Sequence, residues 1–186
     1  MHYGNIKKTD IANGPGVRVS LFVSGCRRHC PHCFNSETWD FAYGAPFTDE
    51  TAEELLAALA PGFIHGLTVL GGEPMEPENQ HALLPLLRRV REAYPQKTVW
   101  CFTGCTLERD LVPGGAYYTA DTDELLEQLD VLVDGEFIEA RKRLDLRFRG
   151  SDNQRLIDMT ATRRTGAVVP WVEPLYRELN GIKEES

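Results

Sequence analysis

The sequence predicts an α/β fold arranged as an open, partial β/α barrel. Three observations carry that expectation. Stretches of strand-like alternation take turns along the chain with stretches of helical periodicity, the pattern of a parallel sheet with crossover helices. There are roughly five such units, where a closed β/α barrel takes about eight. The length, 186 residues, is that of one ordinary domain of about 100–200 residues.

The elements follow in order. The run Val17-Arg18-Val19-Ser20-Leu21-Phe22-Val23 places Val17, Val19, Leu21 and Val23 on one face and reads as the first strand. Residues 51–60 read as a helix, because Ala52, Leu55, Leu56 and Leu59 fall at i, i+3, i+4 and i+7. Residues 67–70 form a buried-type strand that ends at Gly71-Gly72. A helix is expected through Leu83, Leu87, Val90 and Tyr94, with Pro85 implying a kink or a later start. Strands follow at 98–102 and 131–133, with a short helix at 125–129 between them and a further strand candidate at 155–157. Little periodicity survives after about residue 160, so the domain is expected to span residues 1–158. Residues 159–186 then form an appendage that is partly mobile.

Composition narrows the function classes. Twenty basic against 28 acidic residues leave a net charge of −8, which excludes a general nucleic-acid binder, since phosphate backbones are held by Lys and Arg. No apolar run approaches the roughly 18 residues a membrane span takes. Met1-His2-Tyr3-Gly4 has no apolar core of a secretory leader. The expectation is a cytoplasmic protein that binds neither membrane nor nucleic acid. Five cysteines in a reducing compartment point away from disulfides and toward metal or redox chemistry.

Cys26-Arg27-Arg28-His29-Cys30-Pro31-His32-Cys33 directly follows the first strand, where sites in parallel α/β sheets collect. Three thiolates spaced C-x3-C-x2-C can hold one side of an iron–sulfur cluster. A set of four cysteines closes such a cluster, whereas three thiolates leave one iron open for chemistry. A zinc site completed by His29 or His32, with Cys101 and Cys105 as a second knuckle, is the alternative, weakened by the placing of Cys101 within a buried-type strand. Gly71-Gly72-Glu73-Pro74 closes the second strand. Lacking Cβ atoms, Gly71 and Gly72 let backbone approach a ligand, their carbonyls can accept from an ammonium, and Glu73 adds an anionic acceptor. A tight turn without a ligand is the plainer alternative for this motif.

Together the two motifs resemble the signatures of the radical S-adenosyl-L-methionine (SAM) superfamily, the cysteine triplet and a GGEP motif. The flanks, from Asp10 through Asn13-Gly14-Pro15-Gly16 to Cys26, and Cys33-Phe34-Asn35 before Thr38-Trp39, are similar to those of glycyl-radical-enzyme activases. Trp100 with Thr103-Gly104, the run 130–137, and Arg149-Gly150-Ser151-Asp152-Asn153-Gln154-Arg155 resemble the branch that serves anaerobic (class III) ribonucleoside-triphosphate reductases. The resemblance implies the superfamily's partial barrel. It also implies that Cys26, Cys30 and Cys33 ligate a [4Fe-4S] cluster and that SAM chelates its open iron. His32, Cys33 and Phe34 would then meet the adenine, and Gly71, Gly72 and Glu73 the amino group. SAM cleavage would yield a 5′-deoxyadenosyl radical that takes a hydrogen from a glycine of the reductase, with flavodoxin or ferredoxin as electron donor. An activase of the pyruvate formate-lyase type and a non-enzymatic zinc-binding interaction module are the rival readings. Cys105 stands where relatives carry tyrosine, and reads as a packed bystander or a redox thiol. Asp134 reads as SAM-proximal or as a turn residue. The basic stretch Arg141-Lys142-Arg143, Arg147, Arg149 and Arg155 reads as a solvated face or a docking surface for an acidic partner.

Overall fold

The computed structural model describes residues 1–173. Its strands are β1 (His2–Asp10), β2 (Val17–Val23), β3 (Ala45–Pro46), β4 (Ile64–Gly71), β5 (Thr98–Phe102), β6 (Val131–Asp134) and β7 (Arg155–Asp158). They form one sheet in the order β3-β1-β2-β4-β5-β6-β7. The central strands β2, β4, β5 and β6 run parallel. β1 and β3 continue the sheet antiparallel on one side, and β7 does so on the other. The sheet is therefore open, with β3 and β7 at its edges, and the α/β class holds.

Helices α1 (Asp49–Leu59), α2 (Pro77–Ala93), α3 (Leu107–Asp110) and α4 (Thr122–Glu127) lie in the connections between parallel strands, and α5 (Met159–Thr165) follows β7. Alternation along the strands separates two faces. Val19, Leu21 and Val23 of β2, Leu67 and Val69 of β4 and Val99 of β5 pack with Leu55 and Leu59 of α1 and Leu83, Leu87 and Val90 of α2 in the main core. Each such side chain taken fully out of water contributes about 1.5–3 kcal/mol. The opposite face carries Trp100, Val131 and Val133, packed against Phe148, Leu156 and Trp171. Arg18 also lies here, fully buried, its guanidinium 5.5 Å from the Trp100 ring.

Three features depart from the expectations. β1, which β3 covers only at His2 and Tyr3 so that the rest of it borders the sheet, carries no buried alternation, because Asn5, Lys7, Lys8 and Thr9 stay exposed. Charged edges of this kind blunt aggregation and hide a strand from pattern reading. α1 begins two residues early, since Thr48 caps it, accepting from the Thr51 amide at 3.4 Å. α2 starts at Pro77 rather than later and continues through Pro85. Pro85 and His81 are both exposed, so the His81 carbonyl that loses its helical partner is left on the solvent side. Within the expected appendage the described residues 159–173 include α5, which Asp158 caps by accepting from the Ala161 amide at 2.9 Å. Beyond α5, Trp171 donates to the Leu156 carbonyl at 2.8 Å and packs edge-on against Trp100. The rest of the expected appendage, 174–186, lies outside the described residues.

Candidate active site

The carboxyl ends of β2, β4, β5 and β6 border a cavity of about 410 Å³, within the range for a cofactor-sized ligand of about 300–1,000 Å³. Cys26, Cys30 and Cys33 all line it, as do Phe34, Gly71, Gly72 and Glu73. His32 is exposed and lies outside the lining. Cys101 and Cys105 belong to the main core, and all five cysteines are free thiols.

The cysteine loop owes its shape to local backbone geometry. His29 and His32, each immediately ahead of a cysteine, adopt left-handed conformations with φ of 48° and 60°. The His29 ring stacks on Trp39 at 4.7 Å, and the Cys33 amide donates to the Cys30 carbonyl at 3.1 Å. The nearby backbone amides of Arg28 and His29 favour the thiolate of Cys26, and the Asn35 amide donates to Cys33 Sγ at 3.4 Å. Burial pushes the Cys26 thiol up, and burial with the nearby Glu136 carboxylate pushes Cys30 to about 11. Metal binding at these thiols therefore releases protons.

The glycine loop is pressed against the cysteine loop. Gly71 has φ of +116°, and a Cβ there would meet the Val23 backbone at 2.6 Å; at Gly72 it would meet the Gly25 carbonyl at 2.6 Å. The Gly72 amide donates to Val23 O at 2.7 Å and the Glu73 amide to Gly25 O at 2.8 Å. Asn79 Nδ2 ties both loops, donating to Ser24 O at 3.0 Å and Glu73 O at 2.9 Å.

Glu73 is 1% exposed. Oε1 accepts from Thr103 Oγ1 at 2.6 Å and the Met75 amide at 2.9 Å, and Oε2 from the Gly104 amide at 2.8 Å. Burial raises its carboxyl above the ordinary range, while these donors and Arg28 pull it back. The carboxylate expected to serve a ligand ammonium is thus already shared among the protein's own donors.

Arg28, inside the cysteine loop, turns inward. Its Nε lies 3.4 Å from Glu73 Oε2 and its Nη2 3.4 Å from Asp110 Oδ2. Its guanidinium covers the Tyr117 ring at 4.8 Å. Sequence reasoning missed this residue, as it missed Asn79, because nothing in local pattern marks a loop arginine as inward-facing or a helix-start asparagine as a staple. Asp134 is committed elsewhere: it accepts from the Leu107 amide at 3.0 Å and from Arg155, and it does not line the cavity. Cys105 is fully buried, and burial with Glu73 nearby raises its thiol to about 12.

Among the described residues, no three His, Cys, Asp or Glu side chains are gathered tightly enough to hold one metal ion as they stand. The three thiols instead share a cavity wall. Soft thiol donors suit iron–sulfur ligation, and no fourth cysteine reaches that wall. Two lining residues bring buried nitrogens without a partner among the described residues: Trp39 Nε1 and Arg149 Nε. Orphaned donors around a cavity mark a place for a polar ligand.

Comparison with known proteins agrees with this donor set. A family model described as a 4Fe-4S single cluster domain matches residues 12–157. A protein of Vibrio cholerae is 40% identical over 156 residues, which is 83% of this chain and 96% of that one. One from Pasteurella multocida is 39% identical over 164 residues, covering 86% and 99% of the two chains. One from Enterobacteria phage T4 is 38% identical over 158 residues, covering 84% and 93%. All three bear the name anaerobic ribonucleoside-triphosphate reductase-activating protein. On family match, identity and coverage together, the chain belongs to the family of anaerobic ribonucleoside-triphosphate reductase-activating proteins, built on a 4Fe-4S single cluster domain.

Proposed function

We propose that this protein is a radical SAM activase that installs a glycyl radical on an anaerobic ribonucleoside-triphosphate reductase. The observation that carries the proposal is the meeting of three cysteines and a strand-end glycine pair on one cavity. Cys26, Cys30 and Cys33 would hold the [4Fe-4S] cluster, with SAM at its open iron. When bound, the cluster supplies the electron that cleaves SAM, and the carbon radical so released removes a hydrogen from a glycine of the partner.

The chain's own residues supply geometry. Backbone amides beside Cys26 and Cys33 stabilise the thiolate forms that ligation requires. The backbone at Gly71 and Gly72 can approach an amino group without a Cβ in the way. Glu73 locks that loop to Thr103 and Gly104 through its carboxylate, and its amide, with Asn79, ties it to Gly25 and Ser24 at the base of the cysteine loop. The aromatic rings of Phe34, Phe102, Phe137 and Phe148 make much of the remaining wall apolar, which excludes water from a reactive radical. In this reading Cys33 and Phe34 face the adenine. His32 reaches it through its backbone, since its side chain points to solvent.

The open sheet suits the partial barrel of the superfamily, whose gap admits a segment of another protein. Flavodoxin or ferredoxin would deliver the electron, and a reducing cytoplasm would keep the five thiols free. No helix among the described residues is long and apolar enough to cross a membrane.

The test is electron paramagnetic resonance of the anaerobically reconstituted protein with SAM, a reductant and the reductase from the same genome. A glycyl-radical doublet that requires both SAM and Cys30 is expected. A full cluster that gives neither the doublet nor 5′-deoxyadenosine would overturn the activase reading.

A further inference from the structure

We propose that Arg149 is a carboxylate-binding residue in the cavity wall, distinct in role from the other basic residues around it. Within the stretch 141–155, Arg141 pairs with Asp152, Lys142 with Glu139, Arg143 with Asp145, and Arg155 with Glu108 and Asp134; Arg147 pairs with Glu173. The stretch is thereby largely neutralised from within. Arg149 alone in it meets no carboxylate among the described residues. Its Nη1 donates to the Gln154 carbonyl at 2.8 Å, and its Nε is buried without a partner.

Its placement is built rather than incidental. Gln154 Oε1 accepts from the Gly150 amide at 2.8 Å and the Ser151 amide at 3.1 Å, and Gln154 Nε2 donates to the Gly135 carbonyl at 3.0 Å. One side chain therefore fixes the loop carrying Arg149 to the end of β6. The charged side chains lining the cavity are Arg28, Glu73 and Arg149. Arg28 and Glu73 face each other at 3.4 Å, so Arg149 is the one of the three without an oppositely charged side-chain partner among the described residues. A carboxylate answers both the unpaired charge and the orphaned N–H, because a guanidinium edge presents parallel donors to two oxygens. A neutral carbonyl would answer only the N–H.

The carboxylate has two sources. One is the amino-acid end of SAM, which rests on the function proposed above. The other is an acidic group of the partner segment entering the cavity. Titration calorimetry on the cluster-loaded protein separates them, using SAM, 5′-methylthioadenosine (which lacks the whole amino-acid end, carboxylate included) and the reductase as titrants. Arg149→Gln is expected to weaken SAM by roughly 10- to 100-fold while leaving 5′-methylthioadenosine unchanged. If SAM binding holds and reductase binding falls by a similar factor, the carboxylate belongs to the partner and the assignment stands. Equal weakening of SAM and 5′-methylthioadenosine, or no change with either SAM or reductase, overturns it. Arg149→Lys keeps the charge without the planar donor edge; it should show a smaller loss with the same selectivity, and it carries the test if the Gln variant does not fold. Should the wild type bind no SAM, the proposed cofactor falls, and Arg149 is judged on the reductase arm alone.

Discussion

Arg18 and Arg149 present the same guanidinium to opposite neighbourhoods. Arg18, near the start of β2, is fully buried, and every direction around it is occupied. Nε donates to Thr68 Oγ1 at 2.7 Å, Nη1 to Thr98 Oγ1 at 2.9 Å, and Nη2 to the carbonyls of Leu67 at 2.7 Å and Thr98 at 2.9 Å. Burial lowers its pKa to about 10, which still leaves it charged at neutral pH. Arg149, beyond the carboxyl ends of the strands, has one backbone acceptor and a vacant donor. The difference teaches how one sheet divides its labour. Its amino end is closed by internal partners, and its carboxyl end is left with donors in search of a ligand.

The largest expected effect lies at the open end. Replacing Cys26, Cys30 or Cys33 by Ala should reduce iron and sulfide content and radical formation to background, while Cys101→Ala and Cys105→Ala should retain the cluster. Iron loss in either of the latter equal to that of Cys30→Ala would break the division between wall and core. At the closed end, Arg18→Met removes a fully bonded charge and strands its acceptors, so a loss of about 3–5 kcal/mol is expected by chemical denaturation. Arg149→Gln should shift the same denaturation curve far less; equal losses would erase the contrast between the two ends. Gly71→Ala forces a side chain into a left-handed position against the Val23 backbone, for an expected loss of about 1–3 kcal/mol. Trp171→Ala, which removes the ring contacts to Trp100 and Phe148, should cost about 0.5–1.5 kcal/mol beyond the area it exposes, read as a lowered melting temperature.

The smallest effect concerns pH. A hydrogen bond from Arg155 holds the Glu108 carboxyl below its ordinary value. A depressed folded pKa stabilises above the unfolded value, about 4.3, and that contribution disappears as pH falls through the folded one. Both side chains are substantially exposed, so screening keeps the effect small. Glu108→Gln, which leaves the Arg155–Asp134 pair in place, should slightly flatten the acid limb of the stability profile; an unchanged limb would show that the pair contributes nothing measurable.

The sequence revealed the parts of this molecule whose physics is local. The strands Val17–Val23 and Thr98–Phe102 are found with the bounds their alternation predicts. The cysteine spacing and the glycine pair announced one wall of the cavity before any fold was known. What stayed hidden depends on neighbours far along the chain. β1 pairs as a strand although its exposed charges mask any pattern. Arg28 is a loop arginine by sequence and an inward-facing strut only because Glu73 and Asp110 arrive beside it. The neutralisation of the basic stretch is invisible without the carboxylates that fold against it, and so is the isolation of Arg149.

Gly104 shows what such crossings mean for sequence change. A Cβ on it would lie 2.6 Å from Arg28 Cδ and 3.4 Å from Glu73 Oε2, so a side chain at position 104 displaces the guanidinium arm of Arg28 from its place beside Glu73 unless position 28 is shortened. The two positions, 76 apart in the chain, are therefore coupled, the cost of a change at one depending on the residue at the other. Gly104→Ala should be harmful beside arginine and tolerated beside a shorter residue at 28. Lineages that vary one of these sites are expected to have travelled through the other.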